Sequence, residues 1–169
     1  MNYNFVTVKK TPVTTPLDPS KIMINPAHDE AGAEEEIQSL VLVVDDSIDN
    51  LTMLSLDLQQ NGYRVATASN GEEAVKVAAM TNPDLILMDL AMPGVDGLES
   101  TRQIRESEDL KDIPVIALTA FNTDGFRRAA HQTGFDGYLT KPVDFTRLHD
   151  LMRRLIGVSK SSRTGPRSS

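Results

Sequence analysis

The sequence predicts a doubly wound α/β domain: a (βα)5 arrangement whose five parallel strands lie in the order 2-1-3-4-5, with helices on both faces. Three observations carry this reading. Between residues 39 and 157, five short apolar runs alternate with five segments of helical character. The runs LVLVVD and DLILMDL are continuously apolar, as strands covered on both faces must be. Breaks such as Asn61-Gly62 and Pro83 fall between the segments, and connections of this kind are right-handed crossovers.

The first strand runs from Leu40 to Asp45. Ser47 then caps a helix with Leu51, Leu54 and Leu58 at helical spacing, closed by Asn61-Gly62. YRVATA is the second strand, and Asn70 caps the helix GEEAVKVAAM. Pro83 ends what precedes it, and DLILMDL is the third strand. A helix capped by Asp96 extends to about Ser107, with Pro93, Gly94 and Gly97 shaping the turn before it. The fourth strand is IPVIALTA, followed by a helix over about Thr123 to Gln132. FDGYLT is the fifth strand, and the last helix covers Asp144 to Ile156.

The ends differ from this centre. Residues 1–38 carry four prolines, several threonines and the run Glu34, Glu35, Glu36, and read as a flexible arm with a short helix over Asp29 to Gln38. Residues 158–169 are polar and basic and read as a disordered tail.

Composition limits the function. The net charge of −7 argues against a phosphate-backbone binder, so no nucleic-acid partner is expected. The absence of cysteine excludes disulfides and thiolate metal sites, in keeping with a cytoplasmic location. No apolar run reaches the roughly 18 residues of a membrane span, and no membrane partner is expected.

In doubly wound sheets, ligands bind at the carboxyl ends of the strands. The polar residues that interrupt the strands sit there: Asp45 and Asp46 after the first strand, Asp89 at the end of the third, Thr119 at the end of the fourth and Lys141 after the fifth. Three convergent carboxylates repel one another unless a cation joins them, and an all-oxygen site favours Mg²⁺, with Mn²⁺ as the alternative. Such a site suits phosphoryl transfer. Asp89, on the central strand, is the nucleophile. Asp46 binds the metal directly, Asp45 contributes directly or through a water, and the carbonyl of Ala91 is a further ligand.

The strings LVVDDS, DLILMDLAMPGVDGLE, IPVIALTA and GFDGYLTKPV resemble the CheY-like receiver domain of two-component systems, over roughly Leu40 to Gly157. The resemblance implies a flavodoxin-like fold, Mg²⁺-dependent phosphorylation of Asp89 by a histidine kinase or a histidine phosphotransfer protein, and a cis peptide before Pro142. It also implies a switch. The phosphoryl group draws in the Thr119 hydroxyl, Tyr138 turns inward, and the face of the fourth helix, fifth strand and fifth helix recruits a downstream protein target or a second copy in a phosphorylation-dependent homodimer.

Taken singly these residues have plainer readings. Asp45 and Asp46 would be capping carboxylates, Thr119 a strand-end hydroxyl, Lys141 a surface lysine and Tyr138 edge-strand packing; the set promotes each one. His28, His131 and His149 are assigned no role, and the methionines are read as core filler. Ala91 and Ala120 are small residues that bear on how long a phosphorylated state lasts. A stand-alone regulator, not a turnover enzyme, is expected. The alternatives are a receiver fragment of a larger regulator, a docking module independent of phosphorylation, and a haloacid-dehalogenase-type hydrolase. That hydrolase typically has an aspartate where Ala91 stands.

Overall fold

The computed structural model describes residues 38–92, 97–120 and 123–163. The arm up to residue 37, the cap assigned to Asp96 and the tail from residue 164 lie outside these. The elements alternate as expected: β1 (Leu40–Val44), α1 (Ile48–Gln60), β2 (Arg64–Ala68), α2 (Gly71–Thr81), β3 (Leu85–Asp89), α3 (Gly97–Glu106), β4 (Val115–Thr119), α4 (Asp124–Thr133), β5 (Gly137–Thr140) and α5 (Phe145–Arg163). All strand pairs are parallel and the sheet order is β2-β1-β3-β4-β5.

Strand composition follows position in the sheet. The three inner strands are apolar on both faces because both are covered; every residue of β3 and β4 is buried. The edge strands β2 and β5 are only partly covered, which is why Arg64 and Thr67 are tolerated on β2. Alternation along β3 divides the core into two layers. Leu85 and Leu87 pack with Leu54 and Leu58 of α1 and Leu148 and Met152 of α5. Ile86 and Met88 face the other way, with Ala74 and Ala78 of α2, Ile104 of α3 and Ala130 of α4. Each fully buried leucine contributes about 2 kcal/mol by transfer from water. Not every methionine is core filler: Met88 and Met152 are buried, whereas Met53 and Met80 are exposed.

Helix starts are set by the expected side chains. Ser47 Oγ accepts from the amide of Asn50 at 3.4 Å, and Asn70 Oδ1 accepts from that of Glu73 at 2.9 Å. At the end of α1, Gly62 takes φ +83°, open to glycine without strain. The last helix departs from expectation. It continues past Ile156 to Arg163, so the first part of the residues read as a disordered tail is helical. Gly157 alone is a weak stop, and no proline follows until Pro166.

The amino ends of β4 and β5 are tied by one side chain from α3. Arg105 donates through Nε to the carbonyl of Gly134 at 2.9 Å and through Nη1 to those of Lys111 (2.9 Å) and Ile113 (2.7 Å). Its Nη2 reaches Asp136 Oδ2 at 2.7 Å, which also accepts from the amide of Val115 at 2.8 Å. Gly134, at φ +99°, leaves room for this stem, since a Cβ there would lie 3.1 Å from it. His149, assigned no role above, joins α5 to α1 through Asp57 Oδ2 at 2.7 Å and stacks on Tyr63.

An Arg105→Met variant keeps the stem and removes every donor. It should lose about 2–3 kcal/mol of stability in urea unfolding, since several backbone acceptors lose a charged partner at once. Arg105→Lys should recover less than half, because an ammonium lacks the planar fork.

Candidate functional site

Parallel pairing puts all strand carboxyl ends at one edge, and the predicted residues meet there. Asp45 follows β1, Asp89 ends β3 and Thr119 ends β4. Asp89 pairs in register with Leu118, one residue short of Thr119. Thr119 pairs with Thr140, and its carbonyl accepts the amide of Lys141 at 2.7 Å, which fixes where the lysine leaves the sheet. The Lys141-Pro142 peptide is cis, as the resemblance implied.

Asp45 and Asp89 are 0% and 2% exposed, so their charges require partners. Lys141 supplies one to both: its Nζ lies 2.7 Å from Asp45 Oδ2 and 2.8 Å from Asp89 Oδ2. Burial pulls the Lys141 pKa down, but the hydrogen bonds to Asp45 and Asp89, and their charges, outweigh it and hold the ammonium above the ordinary lysine range. Asp45 is further fixed by the amide of Ser47 at 2.9 Å and by Asn50 Nδ2 at 3.0 and 3.1 Å from its two oxygens. Asp89 Oδ1 accepts from the amide of Ala91 at 3.1 Å.

Asp46 is exposed, and carboxylate oxygens of Asp45, Asp46 and Asp89 all lie within 4.8 Å of one another. One ammonium cannot balance three carboxylates at that spacing, so the cluster retains a local excess of negative charge. Its donors are all oxygens, and Asp46 opens it to solvent. These properties fit a small, hard divalent cation that keeps some of its water.

Thr119 is fully buried at the strand end, within the same edge. Tyr138 is half-buried on β5 and packs against the α2–α3–α4 core layer, opposite Ala117 of β4. Ala91 is exposed directly beyond the Asp89 turn.

Two contributors were not singled out from the sequence. Asn50 orients Asp45; its place one turn into α1 was readable, but its target was not. Gly97 was read as turn chemistry, yet its importance is proximity. A Cβ there would stand 2.3 Å from the Asp89 carbonyl oxygen and 2.8 Å from Leu90 Cδ2, so only glycine lets α3 begin against the end of β3.

Lys141→Met should cost about 2 kcal/mol in urea unfolding at low salt. That is less than the full cost of orphaning a buried pair, because the lysine is partly open to solvent. A raised lysine pKa contributes stability that is complete below the unfolded value of about 10.4 and is lost as pH rises through the folded value. The deficit of the variant should therefore hold steady from pH 7 to 10 and shrink above that.

Among the described residues no helix is long and apolar enough to cross a membrane. Residues 41–153 match the response regulator receiver domain. The polar-differentiation response regulator DivK of Brucella anthropi is 35% identical over 117 residues, covering 69% of this chain and 95% of that protein. The chemotaxis protein CheY4 of Vibrio cholerae superposes with a TM-score of 0.67 at 33% identity, over 70% of this chain and 98% of that one. The receiver domain of a sensor histidine kinase of Pseudomonas aeruginosa, solved with a magnesium ion coordinated in its active-site cleft, gives 0.66 at 38% identity, over 71% and 98%. With its sheet order and acidic strand-end cluster already matching that architecture, the chain belongs to the response regulator receiver domain family.

Proposed function

We propose that the chain is a phosphoacceptor switch: Asp89 takes a phosphoryl group from a phosphohistidine of a histidine kinase or a histidine phosphotransfer protein. The observation that carries this is the Lys141 ammonium set between Asp45 and Asp89 beside the open carboxylate of Asp46. A carboxylate oxygen of Asp89 attacks phosphorus; the P–N bond breaks, and its electron pair returns to the donor imidazole. Lys141 moves from balancing the Asp89 carboxylate to balancing the phosphoryl oxygens, and the Thr119 hydroxyl donates to one of them. Asp46, Asp89 and the Ala91 carbonyl, with Asp45 alongside, would hold Mg²⁺, which supplies the remaining positive charge against those oxygens. Water later attacks the acyl phosphate and releases phosphate, so the chain catalyses only its own phosphorylation and dephosphorylation.

The donor has a surface on which to dock. Ile48, Met53 and Leu56 of α1 are 77%, 47% and 54% exposed, unusual for large apolar side chains on a helix that borders a charged site. Of these, Met53 also lines a cleft of about 310 Å³, together with Leu54, Val143 and Phe145 and with Asp45 and Lys141. On the far side, Thr119 moving toward the phosphoryl group would free space for Tyr138 and alter the face made by α4, β5 and α5, where the downstream protein target docks.

Incubation with acetyl phosphate and magnesium chloride should give a phosphoryl adduct by intact mass. The adduct should be absent in Asp89→Asn and lost on chelation with EDTA. Asp46→Asn should raise the magnesium needed by about tenfold or more. A full adduct on the Asp89→Asn protein would overturn the assignment. Sustained turnover of small phosphate esters would show a hydrolase instead.

A further inference from the structure

We propose that Asn50 selects the cation of this site: by holding both oxygens of Asp45 it keeps that carboxylate from bonding the ion, which favours magnesium over calcium. The inference rests on the reading of Asp45, Asp46 and Asp89 as a divalent-cation site. It adds the residue that decides how many of the three carboxylates bond the ion.

The three carboxylates are not equally available. Each has two oxygens and about four acceptor positions. On Asp45 all are taken. Its Oδ1 accepts from the amide of Ser47 at 2.9 Å and from Asn50 Nδ2 at 3.0 Å, while Oδ2 accepts from Asn50 Nδ2 at 3.1 Å and from Lys141 Nζ at 2.7 Å. Asp89 receives one bond on each oxygen, from the amide of Ala91 and from Lys141, and keeps an open position on both. Among the described residues none donates to the exposed Asp46 carboxylate. Two carboxylates are therefore open to a cation, and the third, close enough to share it, is occupied.

This occupation is built into the start of α1. A carboxylate only accepts, so the Asn50 side chain must present its amide nitrogen to Asp45. The backbone amide of Asn50 donates to Ser47 Oγ at 3.4 Å, and the Ser47 amide donates to Asp45. Cap, helix and carboxylate thus close one ring of hydrogen bonds. Lys141 cannot hold Asp45 at every stage of the switch. Once the lysine turns to the phosphoryl oxygens, Asn50 and Ser47 remain as its donors.

The number of bonded carboxylates matters because the two ions differ. Magnesium demands near-octahedral oxygens, keeps several waters and is bound through one or two carboxylates. Calcium takes about six to eight oxygens in looser geometry, so a third carboxylate adds more to its binding. A plainer reading is that Asn50 only steadies a buried carboxylate. In that case its removal would weaken both ions alike. The two readings differ in sign for calcium.

The test uses the isotope-labelled full chain, unphosphorylated, and follows the amide shifts of residues 45–47 and 89–91 as magnesium chloride or calcium chloride is added. Asn50→Leu keeps the side-chain size and removes the donor; Asn50→Ala removes it with a smaller group and stands in if leucine does not fit. Either variant should bind calcium about tenfold more tightly, while magnesium affinity changes by less than about threefold. Adding Asp45→Asn to Asn50→Leu should abolish the gain. Equal weakening of both ions, an unchanged ratio of the two affinities, or a gain that survives Asp45→Asn would overturn the proposal. If the unaltered chain shows no saturable shift with either ion, the cation site itself fails and the inference falls with it. Saturable binding whose ion preference ignores Asn50 sinks the inference alone.

Discussion

The contact between Lys141 Nζ and the carboxylates of Asp45 and Asp89 sets the terms for the rest of this molecule. Two acidic side chains with almost no exposure cannot stay charged in an apolar sheet without a cation in contact. That cation comes from 96 residues beyond Asp45 and 52 beyond Asp89, so the whole crossover sequence from β1 to β5 must be complete before the charges are balanced. The order β2-β1-β3-β4-β5 then has a chemical consequence as well as a packing one. It sets the ends of β1, β3 and β4 side by side and lets the loop after β5 reach over them.

The two ends of the sheet are held in different ways. At the amino ends of β4 and β5, Arg105 spends its donors on carbonyls and on one aspartate, which leaves that end cross-linked and matched in charge. At the carboxyl ends, three carboxylates meet one ammonium. An end that is electrostatically incomplete can respond to a cation or a phosphoryl group, while the completed end keeps the strands in register as it does so.

The fold was legible because each level of the sequence agreed with the next. Continuous apolar runs matched the buried inner strands, Ser47 and Asn70 sat where helices begin, and Asn61-Gly62 fell where α1 ends. Where local signals were weak, the reading slipped. The last helix, expected to end at Ile156, passes through Gly157 to Arg163, and His149 showed nothing in sequence of its Asp57 partner on another helix.

Of the site, the sequence by itself determined the membership: Asp45, Asp46, Asp89, Thr119 and Lys141 each interrupt or end an apolar run, and the parallel direction of the strands places all of them at the carboxyl end of the sheet. Only the tertiary structure decided how they divide the work. Burial separates Asp45 and Asp89, which share the lysine, from Asp46, which faces solvent, because local sequence does not encode how deeply a loop is covered. Asn50 and Gly97 also needed the fold. One finds its target across a turn of backbone, and the other matters for the 2.3 Å that its missing Cβ leaves beside Asp89.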